Sequence, residues 1–167
     1  MTSPSTRSGK AGGFTLIELM VVVTIIGILV GILLPVINSV IRNGQIQQAK
    51  ADVSTLEIAL RAYQTRYTRF PAATGEPGQP VRQALLDILS GSDAGSDNPA
   101  GVRFLEYKSS SVQNGEYVDP WGKPYQVSTD TNLDNQNASL SIPRPILVWS
   151  GGPDEDLSTL NDNIKNW

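Results

Sequence analysis

From residue 14 to residue 37 the chain runs through 24 positions with a single charge, Glu18, and this stretch constrains the fold more than any other. At about 1.5 Å of rise per residue, a helix of that length crosses the ~30 Å hydrocarbon core of a bilayer. A secretory signal has a shorter apolar core and places its small residues after it, so that cleavage removes the whole segment. Here the small pair, Gly12-Gly13, stands before the apolar run and closes a leader carrying Arg7 and Lys10. A cut at that pair leaves the anchor on the mature chain. The next basic residue is Arg42, so the positive-inside tendency keeps the amino terminus cytoplasmic and the remainder outside.

The junction Gly13-Phe14-Thr15-Leu16-Ile17-Glu18 resembles the processing site of the type IV pilin and type II secretion pseudopilin superfamily. The resemblance rests on a glycine, an aromatic, an acid at the fifth mature position and an apolar run occurring together. It implies that a prepilin peptidase cuts between Gly13 and Phe14 and that the new amine, on Phe14, is methylated. It also implies that subunits polymerise through this helix, with Glu18 taking part in assembly. Read from the residues alone, Glu18 either meets the Phe14 amine of a neighbouring subunit or snorkels to the interface at a helix amino terminus.

Beyond the span an apolar stripe recurs at spacings of three and four: Ile46, Ala49, Val53, Leu56, Leu60, Tyr63, Tyr67 and Phe70. Gln47, Gln48, Lys50, Asp52, Thr55, Glu57, Arg61 and Gln64 fall opposite, which describes an amphipathic helix with one packing face and one wet face. The stripe is short for a coiled coil and ends in aromatic residues suited to a domain core. Pro35 lies between the two halves, with Gly31 and Gly44 nearby, and a proline inside a helix predicts a kink, an unwound turn or a simple bend there. Gly27 and Gly31 form a small-xxx-small pair that lets neighbouring helices approach closely.

A Gly/Pro-rich loop over residues 72–79 precedes a short second helix, with Pro80 in its first turn, Val81, Ala84, Leu85, Ile88 and Leu89 on its apolar face and Gly91 ending it. A polar loop follows over 90–101, and strand patterns appear at 102–107, 125–129 and 146–149. The expected organisation is a leader (1–13), a transmembrane helix (14–37), its amphipathic continuation (38–71) and one globular domain (72–167). The fold class is α+β and type IV pilin-like, with the long helix packed on a small antiparallel sheet.

Two later segments extend the resemblance. Asp119-Pro120-Trp121-Gly122-Lys123-Pro124-Tyr125 is similar to a DPWGxPY segment of major type II secretion pseudopilins. Proline and glycine there fix a tight turn that presses the indole onto the domain, and Asp119 caps the turn. The closing stretch holds Asp154, Glu155, Asp156, Asp162 and Asn163. By residue type it is either a solvated acidic turn or a calcium loop, since calcium takes six to eight oxygen ligands in flexible geometry. The resemblance favours Ca2+, held by Asp154, Asp156, Asp162 and the Asn163 amide. The family's second main acid usually directly precedes the closing isoleucine, and Asn163 occupies that place here.

Charge and composition exclude other classes. The net charge is −3, and loss of the leader leaves 11 basic and 16 acidic residues, or −5, which argues against nucleic acid. With no cysteine, no disulfide supports the fold; with no histidine either, nucleophilic and zinc chemistry lack their usual groups, so a membrane-tethered hydrolase fares poorly. The reading is a non-enzymatic, single-pass inner-membrane protein with a periplasmic domain, a pseudopilus subunit. Its implied partners are copies of itself, minor pseudopilins, the prepilin peptidase, the inner-membrane assembly platform and membrane lipid. The alternative is a major or minor type IV pilin of a surface pilus; many pilins close the corresponding region with a disulfide, which this chain cannot form.

Overall fold

The computed structural model describes residues 13–74, 78–92, 97–130, 142–157 and 163–167. Its first element, α1, runs without a break over Leu16–Tyr67. The backbone stays helical through Pro35, so the unwound turn allowed by the sequence is not present. The chain divides into two units, 1–41 and 42–167, described separately below.

Among the described residues of the first unit, the apolar side chains have nothing to pack on. Phe14, Leu16, Met20, Ile32 and Ile41 are all more than half exposed. The helix is long and apolar enough to cross a membrane, with a mean hydropathy of 3.0 over its most apolar window. A soluble helix with that composition would be buried on at least one side.

In the second unit the 3.6-residue stripe does what its spacing dictates. Ala49, Val53, Leu56, Leu60 and Tyr63 are buried, and Ile46, Tyr67 and Phe70 pack at the edge of the same core. The helix stops when Thr68 turns left-handed (φ 55°), its N–H bonded to the Gln64 carbonyl at 2.7 Å. Three residues later, Pro71 blocks any continuation.

The rest of this unit comprises β1 (Gln79–Pro80), α2 (Gln83–Ser90), β2 (Val112–Gln113), β3 (Glu116–Tyr117), β4 (Gln126–Thr129), β5 (Ile146–Ser150) and β6 (Ile164–Lys165). Four strands form an antiparallel sheet in the order β1-β4-β5-β6, with Gln126 opposite Trp149 and Trp149 opposite Lys165. The other two form a hairpin around Asn114-Gly115, both at positive φ, as a two-residue turn matching strand twist requires. Val127, Ile146, Val148 and Ile164 from the sheet join the buried face of α1 and Leu85, Leu86 and Leu89 of α2 in one core. The α+β, pilin-like architecture expected from sequence is what is found.

Three local expectations are corrected. Pro80 does not open α2; it belongs to β1, at the sheet edge where a missing N–H costs no ladder bond, and the helix starts at Gln83 after Arg82 in extended geometry. The buried face of α2 includes Leu86, while Ala84 is exposed. Residues 102–107 are not a strand. The N–H groups of Phe104 and Leu105 both donate to the Leu89 carbonyl, at 2.8 and 3.0 Å, so they bond the end of α2 rather than a neighbouring strand.

Gly91 ends α2 as expected, at φ 91°, and a Cβ there would also lie 2.8 Å from the Gly101 carbonyl oxygen. The polar loop is closed by buried Asn98. Its Nδ2 donates to the Ile88 and Val102 carbonyls, and its Oδ1 accepts from the Val102 N–H and the Tyr67 hydroxyl.

Candidate functional site

The amino-terminal site is built by the start of α1. Phe14 is 85% exposed, and a Cβ placed on Gly13 would meet nothing within 4 Å among the described residues. Packing therefore gives no reason for glycine at that position. Two residues on, Thr15 and Glu18 form a capping box: the Thr15 N–H and hydroxyl donate to Glu18 Oε2 at 2.9 and 2.8 Å, and the Glu18 N–H donates to Thr15 Oγ1 at 3.3 Å. The carboxylate thus has a local role in the isolated subunit, and all its described bonds fall on Oε2.

The carboxyl-terminal site begins where β5 ends. A 3-10 turn over Gly152–Asp154 is followed by Glu155 at φ 60°, and the Asp156 N–H donates to Asp154 Oδ1 at 3.0 Å. This sharp turn gathers Asp154 and Asp156 at the surface, while Glu155 points away to Lys123 Nζ at 3.2 Å. Asn163 is 7% exposed, and neither its Oδ1 nor its Nδ2 has a hydrogen-bond partner among the described residues. A buried amide of that kind costs about 1–3 kcal/mol unless something satisfies it. Asn163 and Pro153, the residue before Asp154, border the same cleft. Asp162 lies outside the described residues. Among those described, no three acids converge, but two carboxylates and an orphaned amide oxygen are the hard donors that calcium takes.

The Asp119 turn is joined to this loop, a link that sequence alone did not reveal. Asp119 Oδ1 accepts from the Trp121 and Lys123 N–H groups at 3.0 and 2.9 Å, which is the expected cap. Its Oδ2 accepts from the buried Ser150 hydroxyl at 2.5 Å, and Ser150 Oγ in turn accepts from the Gly152 N–H at 3.1 Å. One buried carboxylate therefore holds both the Trp121 turn and the first residue of the acidic turn. Trp121 packs on the edge of the core, as its setting between proline and glycine implied.

Asp52, placed on the wet face by periodicity, is instead partly buried and accepts from the Tyr125 hydroxyl at 2.9 Å. Burial raises its carboxyl above the ordinary range; hydrogen bonds from Tyr125 and Tyr117 and the charge of Lys108 pull the other way without cancelling the effect. Burial and the Asp52 charge push both phenols up in turn. The folded state then binds the Asp52 proton more tightly than the unfolded chain, so the ionised group opposes folding at neutral pH and the penalty disappears as pH falls through the folded pKa. Asp52→Asn, which keeps an acceptor for Tyr125, is expected to raise the melting midpoint by a few degrees at pH 7 and to lose that advantage below about pH 4. A midpoint below wild type at both pH values would contradict this balance.

Residues 9–34 match the prokaryotic N-terminal methylation motif. A membrane-length amino-terminal helix under that motif, continuing into one face of a small α+β core, defines a pilin-like subunit. Over most of its length the chain is similar to proteins called "Type II secretion system core protein G". It is 31% identical over 158 residues to that of Aeromonas hydrophila, covering 95% of this chain and 93% of the relative, and 31% identical over 157 residues to that of Klebsiella pneumoniae, covering 93% of each. The protein of that name from Escherichia coli (strain K12) is 28% identical over 158 residues. Among solved structures, the major pseudopilin from the type 2 secretion system of enterohaemorrhagic Escherichia coli matches with a TM-score of 0.41 and 24% identity, over 75% of this chain and 85% of that one. The chain belongs to the type II secretion system core protein G family.

Proposed function

We propose that this chain is the repeating structural subunit of a type II secretion pseudopilus, polymerised through α1 into a fibre that drives protein export across the outer membrane. The observation that carries this reading is the likeness to core protein G proteins over 95% of the chain. No feature of the fold or of the relatives favours a surface pilus. The role is mechanical rather than enzymatic. The apolar helix anchors the subunit, here assigned to the inner membrane with its domain in the periplasm. Copies of the same chain, minor pseudopilins, the prepilin peptidase and the assembly platform are its partners.

Processing between Gly13 and Phe14 is supported by the exposed junction and by a glycine that packing does not require. Fibres sheared from cells and analysed by intact mass are expected to contain a chain beginning at methylated Phe14. A chain beginning at Met1, or one cut after residue 37, would remove the basis for the assignment.

The calcium reading is supported by the unsatisfied Asn163 amide and by the turn that gathers Asp154 and Asp156. These three, with Asp162, would hold the ion, which when bound offsets the repulsion among the carboxylates. Asp119 positions the loop through Ser150, so the Trp121 turn and the acidic turn move as one unit.

A further inference from the structure

Asp52 is a carboxylate that works against folding at neutral pH, because burial opposes its charge and the nearby phenols and Lys108 offset only part of that cost. A group kept at a cost in stability marks a requirement other than folding. The groups that face it are the hydroxyls of Tyr117 and Tyr125, whose rings lie 5.2 Å apart, and the charge of Lys108. A carboxylate offers each phenol an acceptor, in bonds that its charge strengthens.

Tyr125 is where this helix meets the rest of the second unit. It is fully buried, and its hydroxyl donates to Asp52 Oδ2 at 2.9 Å. Its N–H donates to the Tyr117 carbonyl at 2.9 Å, and the next residue opens β4, where Gln126 lies opposite Trp149 of β5. The other end of the same short segment is Asp119, whose N–H donates to the Lys123 carbonyl at 2.8 Å. A bridge between Val118 and Pro124 closes the segment on itself, which leaves it little slack. Asp119 Oδ2 takes the Ser150 hydroxyl, and Ser150 Oγ takes the Gly152 N–H at the start of the acidic turn. One closed turn is therefore pinned to α1 at Tyr125 and to the acidic turn at Asp119.

We propose that Asp52 is a positioning residue for the calcium turn: by holding the Tyr125 hydroxyl on α1, it sets where Asp119 and Ser150 place Asp154 and Asp156. This rests on the calcium reading proposed above. Without the acceptor, a buried hydroxyl is left unsatisfied, Tyr125 is drawn from its place, and the Asp119 end moves with it. An amide at position 52 keeps one acceptor and so keeps the hold on Tyr125.

The test is calorimetric titration of calcium into the full chain in detergent, with hydrogen exchange of the Gly152 amide in chelator as a second reading. Asp52→Ala is expected to weaken calcium about fivefold, less than the roughly tenfold or more lost when a group bonded to a metal ligand is removed. Tyr125→Phe removes a single oxygen, should weaken calcium comparably, and carries the test if Asp52→Ala fails to fold. The double variant should be no weaker than the worse single, because both substitutions remove the same bond. Asp52→Asn should stay within about twofold of wild type even as its melting midpoint at pH 7 rises, so that affinity and stability move separately. In chelator, Asp52→Ala and Tyr125→Phe should each speed exchange of the Gly152 N–H. No ion bound by the wild type overturns the calcium reading and the affinity effect together. Calcium bound equally well by wild type, Asp52→Ala and Tyr125→Phe, with Gly152 exchange unchanged, sinks the coupling alone and leaves the calcium reading standing. Additive losses in the double variant also contradict it, since Asp52 and Tyr125 would then act separately. So does a loss in Asp52→Asn as large as in Asp52→Ala, which would assign the effect to charge rather than to the hold on Tyr125.

Discussion

Glu18→Ala is expected to leave the protein inserted and processed but to abolish fibre growth. The carboxylate sits near the end of an apolar helix, where an uncompensated acid costs up to about 2.5–3.5 kcal/mol, less toward the interface. Among the described residues of one subunit it is satisfied only as a helix cap, through the Thr15 N–H and hydroxyl on Oε2. That cap is worth roughly 1 kcal/mol of local helix stability, too little to decide whether a polymer forms. The larger role we propose for Glu18 is to meet the Phe14 amine of the neighbouring subunit, so that both charges are neutralised inside the bundle. Glu18→Gln separates the two roles, because glutamine keeps an acceptor for the Thr15 N–H but carries no charge. It is also expected to give no fibres, by electron microscopy of sheared material. Normal fibres from the glutamine variant would assign Glu18 to the cap alone.

The second large effect is on stability. A domain of this size has a margin of about 5–15 kcal/mol, and an ion at a hundredfold over its dissociation constant adds about 2.7 kcal/mol. Melting of the full chain in detergent should therefore fall by several degrees when calcium is replaced by chelator. Asp154→Ala should erase that difference, and magnesium, which demands a tight octahedral shell, should restore little. The tail provides its own reporter: the Trp149 and Trp167 rings meet edge to face at 5.8 Å, so loosening the loop should change tryptophan fluorescence. Identical melting curves in calcium and chelator, with no ion bound by calorimetry, would return the loop to a solvated acidic turn.

The parts of the fold legible in the sequence were those governed by long periodic patterns. The apolar run and the stripe from Ile46 to Phe70 defined α1 and its buried face, because each reflects a repeated choice between water and core. Gly91 and the Asp119 turn were legible because positive φ and side-chain capping demand particular residues. Residues 102–107 misled because their alternation suits a strand, whereas the Phe104 and Leu105 N–H groups find the end of α2, a tertiary choice. Pro80 fits a first helical turn as well as an edge strand, and only the pairing with Gln126 decides. The Asn114-Gly115 hairpin carried a readable signal that the pattern reading passed over. Asp52 looked wet by helical phase, and its contact with Tyr125 comes from a residue 73 positions away. In the candidate site, the residue types of the acidic turn were visible. The Asp119 to Ser150 tie and the orphaned Asn163 amide were not, since both depend on how the loop folds back.

The most direct test of the central claim is the secreted proteome of cells lacking this gene. The account predicts that a set of exported proteins disappears from the medium and accumulates in the periplasm, and that the wild-type gene restores export while the Glu18→Ala gene does not. An unchanged secreted proteome in the deletion strain, with surface pili lost instead, would contradict it.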